Sequence, residues 1–345
     1  MKFNDQNQKE IEISVILVAH DRKPYITTAL NSVYNQTIDR AKFEVIVVKN
    51  FLDEDIDRII SLYNFNNVFT NEKELTKKLE IGLSESKGKI ITILEDDDFY
   101  ENIRLNIVLN TFSSNSIIFY HNDFKMINGN GHIINKYSQR DNIVFSMKSN
   151  NLIQLFNKVI RYRGHHNLSS MAFERCFFEK VINNFQNVTF AVDLIFFLEA
   201  ISNGGNLFFD CNQLTYYMRH DSASTVLNFN MITNSQVIAN DYQTVSVLKK
   251  LLNKETNPML VNKIKLMIIE RKIYINIKDP INSDKTKVSI KQLYLFLIEK
   301  LHNYNPESYF IISLFFINKI SPLLAQSIFR KVSSSDFRVN SWINM

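Results

Sequence analysis

Apolar and polar positions in the first half of the chain alternate between two patterns. Short, nearly continuous apolar runs, typical of parallel strands covered on both faces, occur at "ISVILV", "FEVIVV" and "IITIL". The segments between them, including "YITTALNSVYNQ" and "EKELTKKLEIGLSESKG", carry apolar residues at helical spacing. Strands and helices in this order predict βαβ units, and therefore an α/β fold with an open, mostly parallel, doubly wound sheet.

The pattern changes twice further along the chain. "SIIFY" indicates a strand, and "FKMINGNGHIINK" places turn residues between two alternating segments, which predicts a hairpin. From Val226 onward the sequence is predominantly helical, in segments such as "DYQTVSVLKKLL" and "SIKQLYLFLIEKLHNY". We therefore expect two domains, an α/β domain over residues 1–225 and a mostly helical C-terminal region over residues 226–345.

Composition narrows the class of protein. The 345 residues are 45% hydrophobic and 22% charged, which is ordinary for a folded chain. The two cysteines, Cys176 and Cys211, lack metal-ligand spacing; we expect them to be free and buried, as in a reducing compartment, and one disulfide between them is the alternative. The N-terminal "MKFNDQNQKEIEI" lacks the apolar region of a secretory signal, and no apolar run reaches the roughly 20 residues needed to cross a bilayer. We expect a cytoplasmic protein.

Basic residues are concentrated in the C-terminal region. The formal net charge is +5, but residues 226–345 hold 16 of the 40 Lys and Arg and 8 of the 35 Asp and Glu, a balance of +8. Such a region suits an anionic membrane surface, nucleic acid or an acidic partner, and equally a solvated helical face. Within it, "SYFIISLFFINKISPLLAQSIFRK" is compatible with a helix lying in a membrane interface or with a helix packed on protein.

Four adjacent acids, Glu95 to Asp98, end the third apolar run in the stretch "IITILEDDDFY". Neighbouring carboxylates repel one another, and hydration, a proton or a bound cation resolves the repulsion. In open parallel sheets, ligands bind beyond the carboxyl ends of the strands. Oxygen ligands without cysteines suit Mg²⁺ or Mn²⁺, which also bind phosphate oxygens. A divalent metal site and an acidic cap for the next helix are both compatible with this pattern alone.

The order of four motifs resembles that of the family 2 glycosyltransferases of the GT-A fold. The motifs are "ISVILVAHDR", "NSVYNQT", "FEVIVVKN" and "GKIITILEDDD", and Gly82 and Gly88 stand where the family has glycines. The resemblance extends over roughly residues 13–225 and implies a GT-A type sheet that binds a nucleotide-sugar donor. It also implies transfer of the sugar, with inversion, to a glycan, lipid-linked or polysaccharide acceptor, with Mg²⁺ or Mn²⁺ as cofactor.

The resemblance assigns the donor site to the carboxyl ends of the first three strands. It implies that Asp97 and Glu95 bind the metal ion. The residues that it places around the donor are Val18, Ala19, Asp21, Asn50, Glu95, Asp96 and Arg219. The acid with which the family commonly contacts the nucleobase is replaced by Lys49, which cannot accept a hydrogen bond, so base recognition passes to Asn50 or to the backbone. Uridine and guanosine donors both remain open.

Two downstream motifs complete the resemblance. "FAVDLIFFLEA" resembles the family's Glu-Asp segment, in which the aspartate deprotonates the acceptor, and this implies that Asp193 is the general base. Val192 replaces the glutamate, and a simple helix N-cap is the alternative for Asp193. "YYMRHDSAST" resembles the end of the family's catalytic domain and implies that His220 completes the metal shell, with Arg219 near the diphosphate.

The segment "RGHHNLSSMAF" contains two adjacent histidines, His165 and His166. Adjacent side chains on an extended segment point to opposite sides, so the two rings cannot easily bind one metal ion. We expect a loop that contacts the acceptor, with Asn167 and Ser169 near its sugar, and ordinary loop residues are the alternative.

Three functions are compatible with the sequence. The first is a metal-dependent inverting glycosyltransferase with a UDP- or GDP-linked donor and a glycan or lipid-linked acceptor. The second is a nucleotidyltransferase, although "AHDRK" lacks the glycines of a triphosphate-binding loop. The third is a non-catalytic relative that binds glycans or partners, which the departures at Lys49, Leu79 and Val192 allow. No nucleic acid partner is expected, and peripheral contact with the inner face of the cell membrane is left open.

Overall fold

The computed structural model describes residues 10–20, 23–134, 138–185, 188–219, 235–279, 287–302 and 306–334. The chain divides into two compact units, Met1–Met218 and Arg219–Met345. The predicted domain boundary after residue 225 falls within residues 220–234, outside the described residues, and its position stays a prediction.

The first unit contains nine strands and seven α-helices among its described residues. The strands are β1 (Ile13–Ala19), β2 (Phe43–Lys49), β3 (Asn66–Phe69), β4 (Ile90–Glu95), β5 (Phe99–Tyr100), β6 (Phe119–Asn128), β7 (Ile143–Phe145), β8 (Met171–Glu174) and β9 (Leu207–Arg219). The helices are α1 (Lys23–Tyr34), α2 (Glu54–Leu62), α3 (Leu75–Glu85), α4 (Arg104–Ser114), α5 (Leu152–Arg161), α6 (Arg175–Asn184) and α7 (Val192–Ser202). Short 3-10 helices lie at Arg40–Lys42 and Leu168–Ser170.

These strands form one mixed sheet, in the order β3-β2-β1-β4-β8-β6-β9-β5, with β7 paired to β9. The pairings β1–β2, β1–β4 and β2–β3 are parallel, as the continuous apolar runs predict. The pairings β4–β8, β6–β8, β5–β9 and β7–β9 are antiparallel, so the parallel part of the sheet ends at β4. The α/β prediction is confirmed, and the parallel strands place their carboxyl ends at one edge.

The core lies on both faces of the parallel strands. All seven residues of β1 are buried, and on one face Ile13, Val15, Leu17 and Ala19 pack with apolar side chains of β2, β4, α1 and α4 in one cluster. Gly88 precedes β4 and lies so close to β1 that a Cβ atom there would be 2.5 Å from the backbone nitrogen of Ser14. The glycine therefore permits the contact between the start of β4 and β1, and its N–H donates to Ser14 Oγ at 2.7 Å.

The second unit is helical, as predicted. Its helices are α8 (Ser235–Lys254), α9 (Pro258–Lys278), α10 (Ile290–His302), α11 (Pro306–Ile320) and α12 (Pro322–Ser334). A core of apolar side chains from α9 to α12 holds them together. Asp241 is buried and is paired with Lys278 at 2.6 Å and Arg271 at 3.2 Å. No helix in the described ranges combines the length and the apolar character needed to cross a membrane.

Both cysteines in the described chain are free, as expected, but the prediction that they are buried is wrong for Cys176, which is exposed, while Cys211 is half-buried. Cys176 is the second residue of α6 and lies on a face that the neighbouring apolar residues of that helix do not share.

Candidate active site

The carboxyl ends of β1, β2 and β4 meet at one edge of the sheet. Val18 pairs with Glu95 across β1 and β4, and Ala19 pairs with Lys49 across β1 and β2. Asn50 follows β2 directly. Four of the residues assigned to the donor by resemblance, Val18, Ala19, Asn50 and Glu95, are therefore brought together. Asp21, assigned to the donor, and His220, assigned to the metal shell, lie outside the described residues.

The acidic stretch forms a tight turn between β4 and β5, in which burial alternates. Asp96 and Asp98 are buried, whereas Glu95 and Asp97 are half-buried. The His20 N–H donates to Asp96 Oδ2 at 2.7 Å, and the Met218 N–H donates to Asp98 Oδ1 at 2.9 Å. The two buried carboxylates are thus tied to the ends of β1 and β9, and the two carboxylates assigned to the metal keep access to solvent.

The acids do not cap the next helix. That helix, α4, begins at Arg104, and its N-cap residue is Ile103, with no side-chain hydrogen bond at the cap. The helix-cap alternative for the acidic stretch is therefore wrong. The stretch instead crowds four carboxylates at the rim of the sheet.

The acidic turn changes the pKa of Asp98. Burial, and after it the negative charges of Asp97 and Glu95, raise the pKa of Asp98 well above its usual value. A positive charge beside the turn would relieve this repulsion.

Two carboxylates of the acidic turn fit a divalent cation. Among the residues that the structure describes, no group of three or more His, Cys, Asp or Glu side chains has an arrangement that could hold a metal ion. Glu95 and Asp97 do provide two half-buried carboxylates at the rim. Mg²⁺ is commonly held by one or two carboxylates, with water and substrate phosphate oxygens filling the other positions. The donor set therefore suits such an ion.

Lys78 of α3 joins the ends of β1 and β2, a role that the sequence motifs did not reveal. Its side chain is buried, and Nζ donates to the Ala19 carbonyl oxygen at 2.5 Å and to Asn50 Oδ1 at 3.1 Å. Nζ also lies 3.2 Å from His20 Nδ1. Because an ammonium group only donates, Nδ1 accepts this hydrogen bond and the ring proton of neutral His20 is on Nε2. Lys78 thereby fixes three residues around the donor edge.

Lys49, which replaces the family's acid, is buried and turned toward α2. Its Nζ forms an ion pair with Asp57 Oδ1 at 2.8 Å and donates to the Phe51 carbonyl oxygen at 2.9 Å. Burial opposes ionisation of Asp57, but hydrogen bonds from Lys49 and Asn67 outweigh it and lower the pKa of Asp57. Lys49 therefore serves to attach α2 to the sheet.

Asp193 lies in the first turn of α7 and is not its N-cap, because the N-cap residue is Ala191. Both carboxylate oxygens accept hydrogen bonds. Oδ1 accepts from the Leu194 N–H at 2.8 Å, and Oδ2 accepts from the Asn167 N–H at 3.2 Å and from His166 Nδ1 at 3.3 Å. Burial would raise the pKa of Asp193, but the hydrogen bond and charge of His166 outweigh it and lower the pKa. The carboxylate is therefore ionised at neutral pH.

A loop of residues 163–170, which precedes β8, connects Asp193 to the acidic turn. In this loop His166 and Asn167 donate hydrogen bonds to Asp193. Ser169, two residues after Asn167, accepts a hydrogen bond from the Glu95 N–H through its Oγ at 3.1 Å. Asn167 and Ser169, which we expected near the acceptor, are buried and act as supports. The loop thus fixes the separation between the two acidic parts of the site.

The backbone around this loop adopts sparsely populated conformations. Four non-glycine residues in the described chain have positive φ, and three of them, Arg163, Asn167 and Ala191, flank Asp193 in the loop and at the start of α7. Such conformations cost of order 1–3 kcal/mol each and persist where the surroundings enforce them, often at functional sites. The position of Asp193 is therefore enforced by the fold.

Tyr217 is a further residue of the site that the sequence motifs did not single out. Its ring contacts His166, with ring centroids 5.4 Å apart, and Phe124, at 5.8 Å. Burial raises the pKa of Tyr217, and the charges of Asp98, Glu95, Asp97 and Asp193 add to the increase. The phenol therefore lies within electrostatic reach of both the acidic turn and Asp193. Arg219, two residues later, is the last residue of β9.

Comparison with known sequences supports the resemblance. Residues 14–178 match the family model described as glycosyl transferase family 2. A protein of Rickettsia bellii, described as an uncharacterized glycosyltransferase, is 28% identical over 128 residues, covering 36% of this chain and 18% of that protein. A protein of Rickettsia felis with the same description is 25% identical over 130 residues, covering 36% and 21%. The chain therefore matches about a fifth of the length of these curated relatives.

Solved structures share the fold at low sequence identity. Residues 1–349 of S. aureus TarS, in complex with UDP-GlcNAc, superpose with a TM-score of 0.58 and 14% identity, covering 95% of this chain and 92% of that one. A mannosyltransferase from Pyrobaculum calidifontis, in complex with GDP-Man and Mn²⁺, gives a TM-score of 0.54 and 11% identity, covering 94% and 88%. The predicted GT-A type fold with its helical C-terminal region is confirmed.

The Asp98→Asn variant should become increasingly more stable than the wild type as pH rises. The folded-state pKa of Asp98 is raised, so its contribution to stability is fully present below the unfolded pKa of about 3.9 and is lost as pH rises toward the folded value. The neutral amide escapes this loss. Urea unfolding at pH 4 to 7.5 should show that the variant's advantage over the wild type increases with pH, by at most about 1.4 kcal/mol per unit.

The same titration with Asp55→Asn, which alters an exposed carboxylate of α2, provides the control and should show a flat difference. Addition of Mn²⁺ should reduce the advantage of Asp98→Asn, since a cation relieves the same repulsion. A difference that does not change with pH would contradict the crowding of charge at the turn.

Proposed function

We propose that this protein is a metal-dependent, inverting glycosyltransferase, since residues 14–178 match the family model described as glycosyl transferase family 2. It would move a sugar from a nucleotide-diphosphate donor to a glycan, lipid-linked or polysaccharide acceptor. The observation that carries the proposal is the 163–170 loop, which binds the acidic turn through Ser169 and Asp193 through His166 and Asn167. A donor site and a base are needed on either side of one sugar carbon, and this loop links candidates for both.

The donor binds at the rim formed by β1, β2 and β4. Support comes from the two solved structures, whose complexes contain UDP-GlcNAc and GDP-Man. Val18, Ala19 and Asn50 lie at the strand ends, and Lys78 fixes the Ala19 carbonyl and the Asn50 side chain. A nucleobase and ribose placed here would meet a rigid surface, which lowers the entropic cost of ordering the site on binding. Uridine and guanosine donors both suit it.

Glu95 and Asp97 would hold Mg²⁺ or Mn²⁺, with His220 as the further ligand that the family resemblance implies and with Asp96 and Arg219 near the donor. The similar mannosyltransferase carries Mn²⁺ beside GDP-Man, which supports the choice of ion. When bound, such an ion would supply positive charge that stabilises the leaving nucleoside diphosphate. Asp96 and Asp98, held by backbone N–H groups, keep the turn in the shape that presents its other two carboxylates.

Asp193 is the general base. It is ionised at neutral pH because His166 lowers its pKa, and its oxygens are held by the 163–170 loop and by α7. An acceptor hydroxyl transfers its proton to Asp193 while its oxygen forms a bond to the anomeric carbon. The bond from that carbon to the diphosphate oxygen breaks, and the electron pair leaves with the diphosphate. Attack opposite the leaving group inverts the configuration.

Asp97→Asn and Asp193→Asn should each reduce transfer by about 10²–10⁴-fold, the usual contribution of a catalytic group of this kind. The assay is release of UDP or GDP from UDP-GlcNAc and GDP-Man with Mn²⁺, with melting curves to show that each variant is folded. Asp55→Asn, on the exposed side of α2, is the matched control and should retain full activity.

The product identifies competing functions. Pyrophosphate release by the wild type from UTP or GTP in the presence of a sugar 1-phosphate would indicate a nucleotidyltransferase, and binding of a nucleotide sugar without turnover would indicate a non-catalytic relative. Full activity in Asp97→Asn or Asp193→Asn would remove that residue from the mechanism.

We propose further that the acceptor is reached at an anionic membrane surface through the junction of α11 and α12. Four apolar side chains are exposed there, namely Phe316, Ile320, Leu323 and Leu324. Lys319, also exposed, lies among them. Residues 308–334 contain three basic and no acidic side chains. Apolar side chains that insert between lipid headgroups, beside cations that attract anionic lipids, are the features of an interfacial helix.

The double variant Ile320→Glu/Leu323→Glu should reduce flotation with vesicles containing anionic phosphatidylglycerol by at least about tenfold, because each exposed aliphatic side chain contributes about 1.5–3 kcal/mol when buried. Leu62→Glu, at an equally exposed apolar position of α2, should bind like the wild type. Equal flotation of all three proteins would contradict the membrane proposal, as would conversion of a dimer to a monomer by the double variant, which would assign the patch to self-association.

A further inference from the structure

Two adjacent tyrosines of β9, Tyr216 and Tyr217, point to opposite faces of the strand, as alternate residues in a strand do. The Tyr216 hydroxyl donates to Glu101 Oε1 at 2.7 Å and lies 3.0 Å from Lys125 Nζ. Its ring stacks on Phe99, with centroids 4.4 Å apart. Tyr216 is therefore fully engaged in a structural cluster at the β5–β9 pairing.

Tyr217 has a different environment. Its ring is held edge-on between His166 and Phe124, and the next residue, Met218, binds Asp98 through its N–H. Its side chain is half-buried, and its hydroxyl forms no hydrogen bond with any residue in the described ranges. A tyrosine whose ring is packed between two other rings and whose hydroxyl is not used by the described residues is suited to bind a ligand, because ring and hydroxyl present an apolar face and a hydrogen-bonding group together.

The position of Tyr217 relates it to both parts of the site. His166, which the ring contacts, also donates to Asp193 at 3.3 Å. The residue after Tyr217, Met218, donates its N–H to Asp98 in the acidic turn. The negative charges on both sides, together with burial, raise the pKa of the phenol, so the hydroxyl keeps its proton at neutral pH. It can therefore donate to an oxygen and accept from a hydroxyl.

We propose that Tyr217 is an acceptor-binding residue, which positions a neutral sugar or polyol unit for attack beside Asp193. This proposal rests on the proposed function. The Tyr217 hydroxyl binds a hydroxyl of the acceptor next to the one that reacts, and its ring packs against the carbon face of the same unit. The unit is neutral because an anionic group here would face the ionised carboxylate of Asp193.

Tyr217→Phe removes one hydroxyl, and Tyr216→Phe removes one hydroxyl from the other face of the same strand as a matched control. The probes are ribitol, methyl glucoside and methyl N-acetylglucosaminide, each compared with glucose 6-phosphate and glucuronate. Stimulated release of nucleoside diphosphate from UDP-GlcNAc or GDP-Man with Mn²⁺ gives apparent KM values for acceptor and donor. Binding of the same probes in the presence of Mg²⁺ and UDP or GDP is measured separately by saturation-transfer NMR.

Tyr217→Phe should raise the half-saturating concentration of the best neutral acceptor about two- to tenfold, the effect of one neutral hydrogen bond, with the KM for the donor unchanged. Tyr216→Phe should change neither value by more than about twofold, within the error of such comparisons. Equal acceptor binding by Tyr217→Phe and wild type, or a preference of the wild type for the anionic probes, would overturn the proposal. Acceptor binding by NMR without any turnover would contradict the proposed function and leave the assignment of Tyr217 supported.

Discussion

Repulsion among the carboxylates at the end of β4 is the constraint on which the site depends. A chain that ends a buried strand in four acids must support them. Here Asp96 and Asp98 are buried. Asp96 accepts a hydrogen bond from the backbone N–H of His20, directly after β1, and Asp98 accepts one from the backbone N–H of Met218 in β9. Burial, and after it the charges of Asp97 and Glu95, raise the pKa of Asp98, and a bound cation would relieve the part that is due to repulsion. The site is therefore formed at some expense of stability, as functional sites commonly are.

The supports of this turn also build the rest of the site. Ser169 accepts a hydrogen bond from the Glu95 N–H, and Asn167 of the same loop donates its N–H to Asp193. On the other side, Lys78 donates hydrogen bonds to the Ala19 carbonyl and the Asn50 side chain and so joins the two strand ends. Arg163, Asn167 and Ala191 adopt positive φ in the loop and at the start of α7, conformations that persist where surrounding contacts enforce them. Rigid placement of this kind is what positioning of donor and acceptor requires.

Features that depend on a local sequence pattern could be predicted from the sequence. The apolar runs identified β1, β2 and β4, because strands covered on both faces have no polar alternation, and the acidic turn followed from its place after such a run. Contacts between distant residues were not predictable. Lys78 and Ala19 are 59 positions apart, and His166 and Asp193 are 27 apart. Tyr217 has no local signal beyond strand alternation, and whether Cys176 is exposed depends on which face of α6 packs.

The central claim is that the acidic turn binds a divalent ion together with the diphosphate of a nucleotide sugar. Calorimetric titration of UDP and GDP into the full chain, with Mn²⁺ and then with a chelator, tests it most directly. The account predicts that Mn²⁺ strengthens binding of at least one nucleotide by about tenfold or more, which is about 1.4 kcal/mol. Equal affinity of both nucleotides with Mn²⁺ and with chelator, in folded protein, would contradict it.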